Sequence, residues 1–90
     1  MKTDQTIDEA IAFAAEDWPR FDATLPSNLH FRDKVTFFAQ RVRPALVSRF
    51  PDLIAATEQV MLLVIAKGIE QSGYMPRHRI ERDLGIILPP

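Results

Sequence analysis

His30 and His78 are the side chains best suited to metal binding or proton transfer near neutral pH. Both stand close to expected helix starts and beside arginines rather than among acids. His30 precedes Arg32 by two residues, and His78 lies between Arg77 and Arg79. His78 and Glu81, three residues apart, can share a helix face. Two ligands make a poor site, however, and Arg77, Arg79 and Arg82 repel a cation from it. Neither a metal site nor a cofactor is expected. Ser27, Ser48 and Ser72 have no histidine and acid near them in a triad-like arrangement, and cysteine is absent, so no nucleophile is set up for covalent catalysis. The carboxylate pairs Asp8–Glu9 and Glu16–Asp17 are sequence neighbours, which point in different directions on a helix and read as solvated surface. Gly68, Gly73 and Gly85 are too scattered to cradle a phosphate. This inventory predicts a protein that is not an enzyme.

Arginine and lysine offer a second kind of chemistry, the neutralisation of an anionic partner. The formal net charge is -1, which argues against bulk attraction to nucleic acid, but the charges are unevenly placed. Residues 1–26 hold six acids (Asp4, Asp8, Glu9, Glu16, Asp17, Asp22) against Lys2 and Arg20, whereas residues 27–50 hold Arg32, Lys34, Arg41, Arg43 and Arg49 against Asp33 alone. A second basic group follows at Arg77, Arg79 and Arg82. The stretch Ile80-Glu81-Arg82-Asp83-Leu84-Gly85-Ile86 resembles the first helix and turn of a helix-turn-helix unit. That resemblance, seven residues long, implies a recognition helix directly after the glycine. Ile87, Leu88, Pro89 and Pro90 do not supply one, and Glu81 and Asp83 weaken the field of the arginines. A nucleic-acid-associated regulator using Arg32, Lys34, Arg41, Arg43, Arg77, Arg79 and Arg82 is therefore the alternative reading rather than the leading one.

The elements that must position these side chains follow from composition and period. Ninety residues with 47% hydrophobic and 26% charged side chains suit one folded domain, spanning 1–90, with a thin core that neither disulfide nor thiolate metal site can reinforce. The first residues carry no secretory pattern, so a cytoplasmic location is expected. The most apolar run, Val60 to Ala66, is far short of the roughly 20 residues needed to cross a bilayer.

The periodicity predicts an all-α fold, a small bundle of three main helices plus a short fourth. The first helix is expected to start at a reciprocal cap between Thr6 and Glu9, bury Ile7, Ala10, Ile11, Ala14 and Trp18, and stop at Pro19. The second is expected to open at Ser27 or Asn28 and to carry Phe31, Val35, Phe38, Val42, Ala45 and Leu46 on one face. A kink or break is expected near Pro44. The third, about 51–71, is predicted to run from Pro51 to Gln71 and stop at Gly73. Apolar on most sides, it should form the centre of the bundle, with a gross burial term on the order of ten kcal/mol. The fourth is expected from Pro76 to Leu84, closed by Gly85 in the left-handed conformation.

Two features then point to partner binding. Phe37 and Val47 lie off the main stripe of the second helix, and Ile86, Ile87 and Leu88 form an apolar tail that must pack on the central helix or dock on another chain. The leading expectation is a non-enzymatic interaction or regulatory protein, a homodimer joined through these five residues and its apolar helix faces. The acidic first helix is expected to pair with the basic second helix, within one subunit or across two.

Overall fold

The computed structural model describes residues 2–89. Four α-helices follow one another in the chain: α1 (Lys2–Asp22), α2 (Phe31–Arg49), α3 (Glu58–Gln71) and α4 (Arg77–Leu84). A 3₁₀ turn (Pro51–Ala55) stands between α2 and α3, and no strand occurs among the described residues. The all-α bundle expected from the sequence is the observed fold, and α3 is its centre, touching each of the other three helices.

α1 and α3 form the most extensive contact in the molecule. Ala10, Ile11, Ala14 and Trp18 of α1 are buried, as the spacing predicts. The small residues among them have a specific use. A Cβ placed on Gly68 of α3 would lie 2.7 Å from the Ala14 Cβ, 2.9 Å from the Ala15 nitrogen and 3.0 Å from the Ile11 oxygen. The two helix backbones meet at Gly68 with no room for a side chain between them. α3 buries Met61, Val64, Ile65, Ala66 and Ile69 along with that glycine, and so is covered from several sides.

Several boundaries differ from expectation. α1 begins at Lys2, so Thr6 lies inside the helix and the Thr6–Glu9 cap does not form. Instead the Gln5 amide donates to Glu9 at 3.4 Å, one turn on. Pro19 does not stop α1 either. One further turn follows it, because the proline sits on the exposed side while Trp18 and Phe21 turn inward. The final carbonyls are taken up by Ala23 N–H (3.2 Å to Pro19), the Thr24 hydroxyl (2.7 Å to Phe21) and Leu25 N–H (3.1 Å to Asp22). α2 starts at Phe31, not at Ser27 or Asn28, which lie in the preceding turn. Packing of Phe31 edge-on against Trp18, with ring centroids 6.1 Å apart, sets that start in place of a side-chain cap. Pro44 leaves α2 unbroken because it too faces solvent, where water can satisfy the carbonyl it leaves free.

The expected central helix of about 51–71 is in fact two elements. Ala56 and Thr57 are extended, and the Thr57 hydroxyl accepts the Val60 amide at 3.2 Å to begin α3 afresh. The bend allows Leu53 to enter the core while Ile54 remains 73% exposed. α3 ends at Gln71, and α4 closes at Gly85 with φ 67°, both as predicted.

Candidate functional site

An apolar groove with a volume of about 450 Å³ lies between α2, α3 and α4. Its floor is Val35 and Ala39 of α2, Met61, Leu62 and Ile65 of α3, and Leu84 of α4. The spacing on α2 explains why so many of its residues line the groove. Arg32, Val35, Thr36, Ala39, Gln40 and Arg43 recur at three- and four-residue steps, which keeps them on one side of the helix. Arg32 and Arg43 therefore stand at the two ends of the groove, separated along the helix axis by about 16 Å. Glu58 faces the groove from the first turn of α3. At one end Arg32 donates to the Asp83 carbonyl (3.2 Å from Nη2), tying α4 to α2. Among the described residues Arg43 and Glu58 have no ion-pair partner.

The expected contact residues are not gathered there. Phe37 is 45% exposed, but lies on a side of α2 turned well away from the groove. Val47 is half-buried against the core. In the tail, Leu88 is buried, Ile86 is half-buried and only Ile87 is open, at 87% exposure. The tail packs within its own subunit. The Leu88 amide donates to Glu81 (2.8 Å), and Arg77 donates to the carbonyls of Leu88 (3.1 Å) and Pro89 (2.6 Å). Lys67 donates to Pro89 as well (3.1 Å). Glu70 holds both cations in place, accepting from Lys67 at 2.8 Å and from Arg77 at 2.9 Å. Those hydrogen bonds, Arg77 first and Lys67 second, pull the Glu70 carboxyl down to about 2 and raise Arg77, in each case against the cost of burial.

The basic residues considered for nucleic acid are similarly dispersed. Lys34 is buried, its ammonium 2.9 Å from Asp22 and 3.3 Å from the Tyr74 hydroxyl. These bonds outweigh desolvation and raise its pKa. This is the one ion pair between the acidic α1 and the basic α2 among the described residues, and it lies within the subunit. Arg41 lies over the Phe21 ring and Arg82 beside Asp83, while Arg77 belongs to the tail clamp. Arg79 is exposed on α4. On α2 the pair Arg32 and Arg43 faces the groove, and Lys34 and Arg41 occupy nearly the opposite side.

No group of three metal-ligating side chains occurs among the described residues, and Glu81, the acid nearest His78 in the expected pairing, is engaged by the Leu88 amide. Among those residues no helix is long and apolar enough to cross a membrane. The groove escaped the sequence reading because it joins residues of three helices. Its one signal was the second apolar row of α2, Val35 and Ala39, flanked by Arg32 and Arg43. Comparison with family models, curated proteins and solved structures finds no match for this chain.

Proposed function

We propose that this chain is a non-enzymatic protein-interaction module that receives an amphipathic helix of a partner protein in the groove between α2, α3 and α4. The observation that carries the reading is the pairing of an apolar floor with an arginine at each end. The distance along α2 from Arg32 to Arg43, about 16 Å, matches three turns of a docked helix. Apolar side chains at positions i, i+4 and i+7 of such a helix would cover Leu62, Ala39 and Leu84, and acidic side chains at its two ends would meet Arg32 and Arg43. Glu58 disfavours an acid at the α3 side of the Arg43 end, which gives the groove a polarity. Scattered cations favour this reading over a nucleic-acid interface, because three of the seven candidate residues, Lys34, Arg77 and Arg82, are paired with acids of their own subunit.

The test is titration calorimetry with a synthetic helical peptide carrying leucine at i, i+4 and i+7 and glutamate at both ends, alongside a version with lysine at the ends. The glutamate peptide is expected to bind the wild-type chain at least about tenfold more tightly, the difference carried by two charge-assisted pairs. Arg43→Glu should narrow or reverse that preference, and Leu62→Asp should abolish binding of both peptides. Equal affinity of the two peptides, or binding of neither at millimolar concentration, would overturn the reading. A steeply salt-dependent affinity for DNA or RNA would put the nucleic-acid alternative in its place.

A further inference from the structure

Away from the groove, the seam between α1 and α2 carries a second patterned surface. On α1, the exposed Glu9, Glu16 and Arg20 and the half-buried Phe13 follow one another at steps of three and four residues, so they form one row. Phe37, Arg41 and Ser48, all exposed, form a matching row on α2, turned about 150° around that helix from the residues that line the groove. The two rows adjoin and run in opposite directions. The Arg49 guanidinium lies over the Phe13 ring, 5.6 Å from its centroid, and Arg41 lies over Phe21 at 5.8 Å. A cation resting on a ring keeps its charge, and among the described residues neither Arg41 nor Arg49 has an ion-pair partner. Glu9 and Glu16 have no cationic partner there either. The face is thus acidic along α1 and basic along α2, with phenylalanine on both helices.

We propose that this face binds a second copy of the chain, in a dimer whose two-fold axis runs along α1 and α2. Such an axis lays α1 of each copy over α2 of the other. Glu9 and Glu16 then meet Arg41 and Arg49 twice, once in each direction, and Phe13 and Phe37 are taken out of water. A two-fold axis perpendicular to the helices would lay each helix on its own counterpart, acid on acid and arginine on arginine, which like-charge repulsion opposes. Charge therefore selects both the occupant and its orientation, because a face acidic on one half and basic on the other is its own complement after the first rotation. Arg20 is the one cation on the α1 row and works against the pairing.

Sedimentation equilibrium of the full chain from micromolar to millimolar concentration is expected to show a reversible dimer. Phe37→Asp, at an exposed position, should weaken it about tenfold or more, whereas Arg20→Glu should tighten it. Charge reversal tests the orientation. One variant carries Glu9→Lys with Glu16→Lys, the other Arg41→Glu with Arg49→Glu, all at exposed sites. Each alone should be monomeric where the wild type dimerises, since its face now has one predominant sign. Mixed in equal amounts, the two should form a heterodimer, read by native mass spectrometry. A wild-type chain that stays monomeric at millimolar concentration would overturn the proposal, as would a dimer indifferent to Phe37→Asp or weakened by Arg20→Glu. Absence of heterodimer from a mixture in which both variants retain helical circular dichroism would do the same.

Discussion

Gly68 and Lys34 illustrate how single residues fix the packing in this chain. In an isolated helix, Gly68→Ala would be favourable by about 1 kcal/mol. Here the added methyl meets the Ala14 Cβ at 2.7 Å and two backbone atoms of α1, which cannot rotate away. Overpacking of about 1–3 kcal/mol should therefore win. Thermal unfolding of G68A is expected at a midpoint some 5–10 °C below wild type. A raised midpoint would show that α1 and α3 are not in backbone contact. The Lys34–Asp22 pair makes an asymmetric prediction. The Lys34 side chain is 9% exposed, whereas Asp22 is 24% exposed and can be rehydrated if its partner is removed. Asp22→Ala should thus cost more, about 1–3 kcal/mol, than Lys34→Met, which replaces the buried stem with an apolar one. Urea denaturation of both variants at neutral pH measures the order directly.

Nothing in the sequence marked Lys34 as interior. It read as one of five cations in a basic segment, and only the approach of Tyr74, forty residues away, closes the site around it. Gly68 was equally silent, since Ala14 opposite it already had an explanation as part of an apolar stripe.

Elements were more readable than their ends. The apolar rows of α1 and α2, the stop at Gly73 and the left-handed closure at Gly85 all depend on residues near one another in sequence, and all are found except at two row positions: Ala45 of α2 is exposed, and Ile7 of α1 is only half-buried. Failures occurred where local signals met tertiary packing. The Thr6–Glu9 pattern was a plausible cap until the helix extended past it, and Pro19 and Pro44 were plausible stops until their solvent-facing positions were known. The single helix expected over 51–71 merged two elements because Leu53 and Ile54 continued the apolar run of α3. Thr57, a strong capping residue followed by Glu58, was the overlooked sign of a new start.

At this scale the link between α3, α4 and the tail is pH-dependent. Glu70 has its pKa lowered from an ordinary 4.5 to about 2, chiefly by the Arg77 hydrogen bond. Its contribution is complete above pH 4.5 and is lost as pH falls from there towards 2. It is worth on the order of 1–2 kcal/mol once solvent screening at this partly exposed site is allowed for. Glu70→Gln should lower stability by that amount at pH 7. The gap between wild type and variant in chemical denaturation should close as pH is lowered through 4 to 3. A constant gap across that range would remove Glu70 from the acid response.

For the whole molecule, the groove is the consequence of how few helices cover α3. α1 and α2 flank it and α4 is only eight residues long, so one side of the α2–α3 seam is left open with apolar residues at its base and arginines at its ends. The sequence announced apolar surface in excess of what 90 residues can hide, and the expectation of a partner rested on that. It could not place the surface, because Leu62, Ala39 and Leu84 become neighbours only after three helices have assembled. The residues that drew attention instead, Phe37 and the tail, turned out to lie apart, with Leu88 inside the core. Isotope-filtered nuclear Overhauser spectroscopy on labelled chain with the unlabelled glutamate-ended peptide tests the docking claim most directly. Cross-peaks from the peptide leucines to the methyl groups of Val35, Leu62 and Leu84 are predicted. Cross-peaks confined to Phe37 or Ile87, or their absence at saturating peptide, would contradict it.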